Sequence, residues 1–247
     1  MKNIITLLLT LLVANSLFQS LFSNTSQIPD DYKLVYQQNF NDLTSLDDFV
    51  ATDKSVWKWG ADGERGYIEH FSRSNYKYKV RSPYNIALIK KIEVKDFILD
   101  VKLHQTGKEY GHRDMCVFYN FKDRSNFYYT HIASVTDKNA HNCFIVCDEP
   151  RLKISYQTSK GHNWSGRKWH DLRLIRENKS GKIDVYVNDF SKPIMRAIDK
   201  TFDWGRIGFG SFDDTGRIST IKLYAPRFRL KNAKDPFTKG RLSTTNK

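Results

Sequence analysis

Three short segments carry the residue types that acid–base chemistry needs. Gly111-His112-Arg113-Asp114 leads into the run Met115–Phe121, Phe127-Tyr128-Tyr129-Thr130-His131 lies on the next run, and His141-Asn142 opens the one after. Tyr129 and His131 are two residues apart, so on a strand both point to one face. Histidine titrates near neutrality. A tyrosine exchanges its proton more readily when a neighbouring cation lowers its pKa. Arg113 offers a planar fork for a carboxylate, and His112 or Asn142 can add a hydrogen bond to the same group. Such a set suits removal of the proton α to a uronate carboxylate, followed by β-elimination at C4. Arginine, histidine and asparagine neutralise the carboxylate while tyrosine or histidine takes the C5 proton. Either a sugar or water can leave. His141, Asn142 and Tyr119 are read as substrate-side neighbours of Tyr129, His131, His112 and Arg113. The same side chains also fit a plain packed strand, a reading that only geometry decides.

Other residues widen the choice. Trp57 and Trp59 share a face at period two and are candidates for sugar stacking or for the core. Tyr76, Tyr78 and Tyr84 interleave with Lys77, Lys79 and Arg81, as the wall of a groove for an acidic glycan or as a solvated strand. Asp213 and Asp214 precede Thr215-Gly216. They read as a structural calcium site or as an Asp-rich turn; no cofactor is otherwise required. A retaining glycosidase needs two carboxylates about 5–5.5 Å apart, and no strand here presents such a pair. There is also no G-x-S-x-G elbow. Cys143 and Cys147, four apart on one strand, would sit about 13 Å apart, too far for a disulfide. Cys116 could bridge to one of them across strands, but buried free thiols are the expected state.

The elements that must position these residues are strands. Phe97, Leu99, Val101 and Leu103 alternate with Ile98, Asp100, Lys102 and His104. Met115, Val117, Tyr119 and Phe121 repeat the pattern, as do Ile183, Val185 and Val187. Period two over such runs predicts half-buried strands. They fall near 32–40, 54–60, 66–71, 85–93, 96–105, 114–121, 126–134, 141–147, 150–157, 168–176, 182–189, 206–212 and 217–225. Turn residues at 160–163, 178–181 and 213–216 separate several of them. Many short strands with regular turns predict a sandwich or barrel.

The stretch from Trp169 to Tyr224 adds a resemblance. It contains Trp169-His170-Asp171-Leu172-Arg173, then Val185-Tyr186-Val187-Asn188-Asp189, then Gly205-Arg206-Ile207-Gly208-Phe209. This order is similar to the C-terminal half of concanavalin A-like lectin/glucanase jelly rolls. The resemblance implies an all-β, two-sheet antiparallel jelly-roll sandwich. Polysaccharide lyases of this fold use Tyr/His with Arg/Asn/Gln sets, and the set here resembles them in kind. Their R-x-E-x-R strand is missing, and Tyr129-Thr130-His131 matches Q-[IV]-H only loosely. The fold itself hosts lectins, hydrolases, lyases and binding modules.

Lys2 and the apolar run Ile4–Ala14 have the shape of a signal peptide, too short to span a bilayer. Residues 1–23 are read as the leader, with cleavage between 15 and 26. One domain follows over 27–230, then a basic tail over 231–247. The expected chain is periplasmic or secreted, with no membrane span once the leader is gone. Lysine and arginine number 40 against 27 acids, a formal charge of +13. Such a field favours anionic partners. Export points to an anionic polysaccharide or oligosaccharide, with or without sulfate, and not to nucleic acid. Three functions stay open: a carbon–oxygen lyase or dehydratase, a non-catalytic carbohydrate-binding module, and a glycoside hydrolase whose acids are unpaired in the sequence.

Overall fold

A computed structural model describes residues 28–231 and 235–237. The expected leader, and the tail apart from residues 231 and 235–237, lie outside the described residues. No helix among the described residues is long and apolar enough to cross a membrane.

The chain forms β1 (Lys33–Gln38), β2 (Phe49–Ala51), β3 (Trp57–Asp62), β4 (Arg65–His70), β5 (Asn85–Ile89), β6 (Ile92–Val94) and β7 (Phe97–Gln105). Next come β8 (Asp114–Asp123), β9 (Asn126–Ala133), β10 (Asn142–Cys147), β11 (Leu152–Lys153), β12 (Ser155–Thr158) and β13 (His170–Glu177). The last are β14 (Lys182–Val187), β15 (Met195–Ile198), β16 (Arg206–Ser211), β17 (Gly216–Ala225) and β18 (Phe228–Leu230). One sheet runs β12-β15-β14-β13-β7-β17-β4-β3, with β1 also on β17. The other runs β11-β10-β9-β8-β16-β5-β2, and β18 pairs with β6. Strands β2, β15 and β18 are too short to show a period in the sequence. The expected 85–93 and 150–157 runs each break into two strands.

The two sheets face each other across one core. Leu99, Val101, Leu103, Leu172, Leu174, Ile183 and Val185 meet Met115, Val117, Tyr119, Tyr128, Ile132, Cys143 and Ile145. The alternation read for β7 and β14 is therefore the inward face of the first sheet. Its outward face carries ion pairs such as Arg173–Asp100 at 2.7 Å and Arg217–Glu69 at 3.2 Å.

The second sheet is buried on both faces. Cys116, Phe118, Phe121, Phe127, Tyr129, Phe144 and Val146 line its outer side. Tyr76, Tyr78 and Val80, from the strap between β4 and β5, and Phe237 roof that side. Double burial explains why β8 to β10 read as nearly continuous apolar runs.

Phe121 departs from the expected alternation. Asn120 has φ +46°, and the β8–β9 register shifts between Tyr119 and Asp123. This bulge turns Phe121 outward against Phe127, with ring centroids 4.7 Å apart. Asparagine tolerates that left-handed conformation. The bulge is wedged against Gly205, where an added Cβ would lie 2.1 Å from the Asn120 carbonyl carbon.

Cys116 faces the roof and Cys143 the inter-sheet core, so the sheet separates them; all three cysteines are free. Cys147, expected to be buried, is exposed at the end of β10.

Two predictions follow from this packing. Gly205→Ala is expected to cost about 2 kcal/mol or more, since backbone and not a movable side chain blocks the methyl. A urea midpoint equal to wild type would contradict the wedge. His70 is fully buried against Trp57, and neither ring nitrogen has a hydrogen-bond partner among the described residues. Burial depresses its pKa to about 3. The unfolded chain takes up that proton near 6.5, so this contribution is complete above pH 6.5 and is lost as pH falls toward 3. His70→Phe should therefore gain on wild type by up to about 1.4 kcal/mol per pH unit below 6.5. Parallel stability–pH curves for the two proteins would refute it.

Candidate functional site

Asp114, the first residue of β8, is completely buried and organises one end of the second sheet. Its carboxyl accepts from the Phe212 backbone N–H at 3.0 Å and from the Cys116 thiol at 3.0 Å. His131 Nε2, from β9, lies 3.3 Å from the same oxygen. The His141 backbone N–H donates to His131 Nδ1 at 3.2 Å. Nδ1 is thus an acceptor, so Nε2 carries the ring proton, and it lies in polar contact with Asp114 without hydrogen-bond geometry. Burial holds the His131 imidazole down to about 3, and the Arg151 cation adds to this, so the ring is neutral near pH 7.

Asp214 completes the array from the β16–β17 turn. Its Oδ2 accepts from the Asp114 backbone N–H at 2.9 Å and from the Tyr110 hydroxyl at 2.8 Å. Burial, and then the charge of Asp214, pushes Asp114 well above the usual carboxylate range. Burial also raises Asp214. One proton shared by the two carboxyls relieves their repulsion.

Carboxylate oxygens of Asp114, Asp213 and Asp214 lie within 4.8 Å of one another. Calcium takes about six to eight oxygen ligands. Here two of the three carboxylates already accept from protein donors, so the donor set fits a shared proton and not the calcium expected at Asp213 and Asp214. Asp114, Cys116 and His131 also converge. A metal on Nε2 would require Nδ1 to donate, as ligating histidines do, yet Nδ1 faces a backbone N–H. In that trio Cys116 donates to Asp114, and the His131 ring lies against the same oxygen.

A pocket of about 180 Å³ opens above this array, lined by Arg81, Tyr110, His112, His131, Asn139, Arg151, Phe212 and Asp213. Phe212 holds two guanidiniums, with Arg81 5.2 Å and Arg151 4.7 Å from its ring centroid. Arg151 also lies over Phe144 and donates to the Tyr129 hydroxyl at 3.1 Å. At the rim, His112 Nε2 contacts Asp137 at 2.7 Å, and both side chains are substantially exposed. Burial works against the Asp137 charge, but the Asn139 N–H and then His112 outweigh it and hold the carboxyl below its usual range.

The structure brings together only part of the expected set. His112 and His131 reach the pocket wall. Tyr129 shares the outer face of β9 with His131, as expected, but lies fully buried beneath Arg151, and burial raises its pKa. Arg113 turns away: its guanidinium donates to Gln105 Oε1 and, at 3.2 Å, to Ser165. Asn142 is spent on the Asp137 and Ala140 carbonyls at 2.7 and 2.8 Å, closing the loop that leads into β10. His141 is buried, between the Ala133 N–H and Ser159. Tyr119 points into the inter-sheet core because its parity on β8 is that of Val117. Trp57 is core, and Trp59 donates to the Phe40 carbonyl at 2.8 Å; both belong to β3, the opposite edge of the other sheet.

Tyr110, Asn139, Arg151 and Phe212 are the pocket residues that sequence reading did not single out, and Asp114 beneath them was given no role. Arg81 was visible in the basic aromatic stretch. The run expected over 150–157 includes Arg151, but the structure leaves it in the bend after Glu149-Pro150, just ahead of β11, where strand parity does not set its direction.

Asp114→Ala leaves the Phe212 N–H and the Cys116 thiol without their acceptor. It is expected to cost about 3 kcal/mol. Asp114→Asn keeps an acceptor there and a donor toward Asp214, and should stay within about 1 kcal/mol of wild type. Equal losses in thermal or urea unfolding would refute the shared-proton array.

No family model matches this chain, and no curated protein is similar to it in sequence. Solved structures do resemble it. A carbohydrate-binding module, CBM66 from Bacillus subtilis, superposes with a TM-score of 0.50 at 15% identity, covering 72% of this chain and 96% of the module. A Bacillus subtilis protein of unknown function with a galectin-like fold gives a TM-score of 0.51 at 11% identity, covering 79% of this chain and 100% of that one. At such identities the likeness is one of fold, and the fold is the concanavalin A-like jelly-roll sandwich.

Proposed function

We propose that this chain is an exported carbohydrate-binding jelly roll whose pocket takes an acidic saccharide. The carrying observation is the pair of guanidiniums on one Phe212 ring at the pocket mouth. Arg81 is exposed and Arg151 half-buried. Arg151 spends one donor on Tyr129, which leaves guanidinium N–H groups for a ligand carboxylate or sulfate. Asp213 and Asn139 on the same wall can accept from and donate to sugar hydroxyls. The carbohydrate-binding fold neighbour agrees with a saccharide ligand. Export remains a proposal from the leader-like N-terminus.

A β-eliminating reading is favoured by one observation, the His112–Asp137 pair at 2.7 Å on the pocket rim. Asp137 fixes Nε2 as the donor, which leaves Nδ1 with a lone pair for a proton α to a carboxylate held by the arginines. The base would then be His112. His131 has both ring nitrogens engaged, and Tyr129 is sealed below Arg151.

Calorimetric titration with short glucuronate, alginate, ulvan and glycosaminoglycan fragments tests the binding. Arg151→Ala and Arg81→Ala should each weaken it about tenfold or more, Arg81→Ala with an unfolding midpoint near wild type and Arg151→Ala at a cost of about 1–3 kcal/mol for the Tyr129 hydroxyl left without its donor. Unchanged affinity in both variants, or no affinity for any acidic fragment, would refute the site. Absorbance near 235 nm, where an unsaturated uronate absorbs, separates the two readings. A signal abolished by His112→Ala indicates elimination; binding without a signal indicates a module.

A further inference from the structure

We infer that the pocket recognises the end of an acidic glycan, or a short oligosaccharide, and not the interior of a long chain. This rests on the binding reading above. A polymer bound along its length needs an open channel across the sheet. Here the outer face of the second sheet is closed. Ile86, Leu88, Cys116, Phe118, Phe121, Phe127, Tyr129, Phe144 and Val146 are all about 1% exposed or less.

The roof that closes it is fixed at several points. Ser74 N–H donates to Asn85 Oδ1 at 2.9 Å, and Ser74 Oγ to the Tyr84 carbonyl at 2.8 Å. Arg124 reaches the Tyr76 hydroxyl at 3.2 Å and the Lys77 carbonyl at 2.7 Å. Phe237 packs on Tyr76 and on Phe121, with centroids 5.8 and 5.7 Å apart. Arg81, the strap's own residue, is part of the pocket wall, and the ring of Tyr84 stands edge-on to Phe212, 5.8 Å away. The strap therefore makes the pocket blind on the sheet side.

The other side is open. Beyond Tyr110 a second hollow of about 450 Å³ lies between the loops, lined in part by Glu109, Val135, His162 and Trp164. Tyr110 borders both cavities. A ligand with its charged terminal ring against Arg81 and Arg151 would leave over Tyr110, toward this hollow.

The strap carries Arg73, Lys77, Lys79 and Arg81 and no acid between Phe71 and Tyr84. Its outer surface is the competing path for a polymer, and this makes the inference testable. The probes are the disaccharide, the tetrasaccharide and the high-molecular-mass polymer of one acidic glycan found to bind in the fragment series. Titration should give one protein per glycan chain at every length, with affinities per chain within about threefold. The exposed double variant Lys77→Ala/Lys79→Ala should change none of these by more than about twofold. Several proteins per polymer chain, with the disaccharide more than tenfold weaker, would overturn end recognition and leave saccharide binding standing. So would a tenfold loss confined to the polymer in the double variant. No binding by any probe would remove the binding reading itself, and this inference with it.

Discussion

The buried Asp114 carboxyl is the interaction on which the site end of this sandwich depends. It gathers a β16–β17 backbone amide, a β8 thiol and a β9 imidazole around one oxygen. Through Asp214 it also holds the Tyr110 loop. A fully ionised carboxylate without hydrogen bonds would be too costly at this depth. Two donors and a shared proton make it tolerable, and these bonds, with the His131 ring set against the same oxygen, fix where β8, β9 and the turn before β17 can lie. Phe212, whose amide is tied there, then presents its ring to Arg81 and Arg151. The cationic mouth of the pocket is a consequence of the buried acid beneath it.

The second constraint is the roof. A sheet of a sandwich buries one face on its partner and leaves the other for solvent or ligand. Here the bulge at Asn120 adds Phe121 to an outer face that is already aromatic, and the strap covers it. The stacked series Phe118–Tyr129–Phe144 crosses β8, β9 and β10 at centroid spacings of 5.9 and 5.2 Å. These rings stabilise a sheet that would otherwise expose a large apolar patch. Tyr129 is one of this series, which is why its hydroxyl reaches only Arg151 at the edge.

Strand rhythm made most of the fold legible before any coordinates. The inward residues of β7 and β14 follow period two without interruption, and so these two strands could be read residue by residue. Phe121 could not, because a bulge leaves no mark in a hydrophobic pattern beyond an asparagine that also fits a turn. The site was legible in its neighbourhood more than in its members. His112 and His131 were found because histidines are conspicuous. Arg113 was misassigned because a loop residue has no parity to say which way its side chain turns. Arg151 and Phe212 come from turns after β10 and β16, and only the closing of the second sheet brings them to one ring.

The charge of the chain acquires a location through the same packing. On the outer face of the first sheet cations meet acids: Lys58 and Arg217 share Glu69, Lys102 pairs with Asp171, and Arg173 with Asp100. That face contributes little net field. The strap over the second sheet has four cations and no acid of its own; Lys79 alone of these has an ion-pair partner among those found, Asp148 at 3.2 Å. Exposed pairs of that kind are worth little and are screened by salt. The positive field therefore extends from the strap toward the pocket at its end. Under the proposed function, an anionic glycan would be drawn to the roof first, where no channel exists, and only a group small enough to pass Arg81 and Arg151 would meet both guanidiniums at once. Long-range attraction and short-range recognition would then be separate, the strap setting the rate of encounter and the pocket beneath its edge deciding what stays.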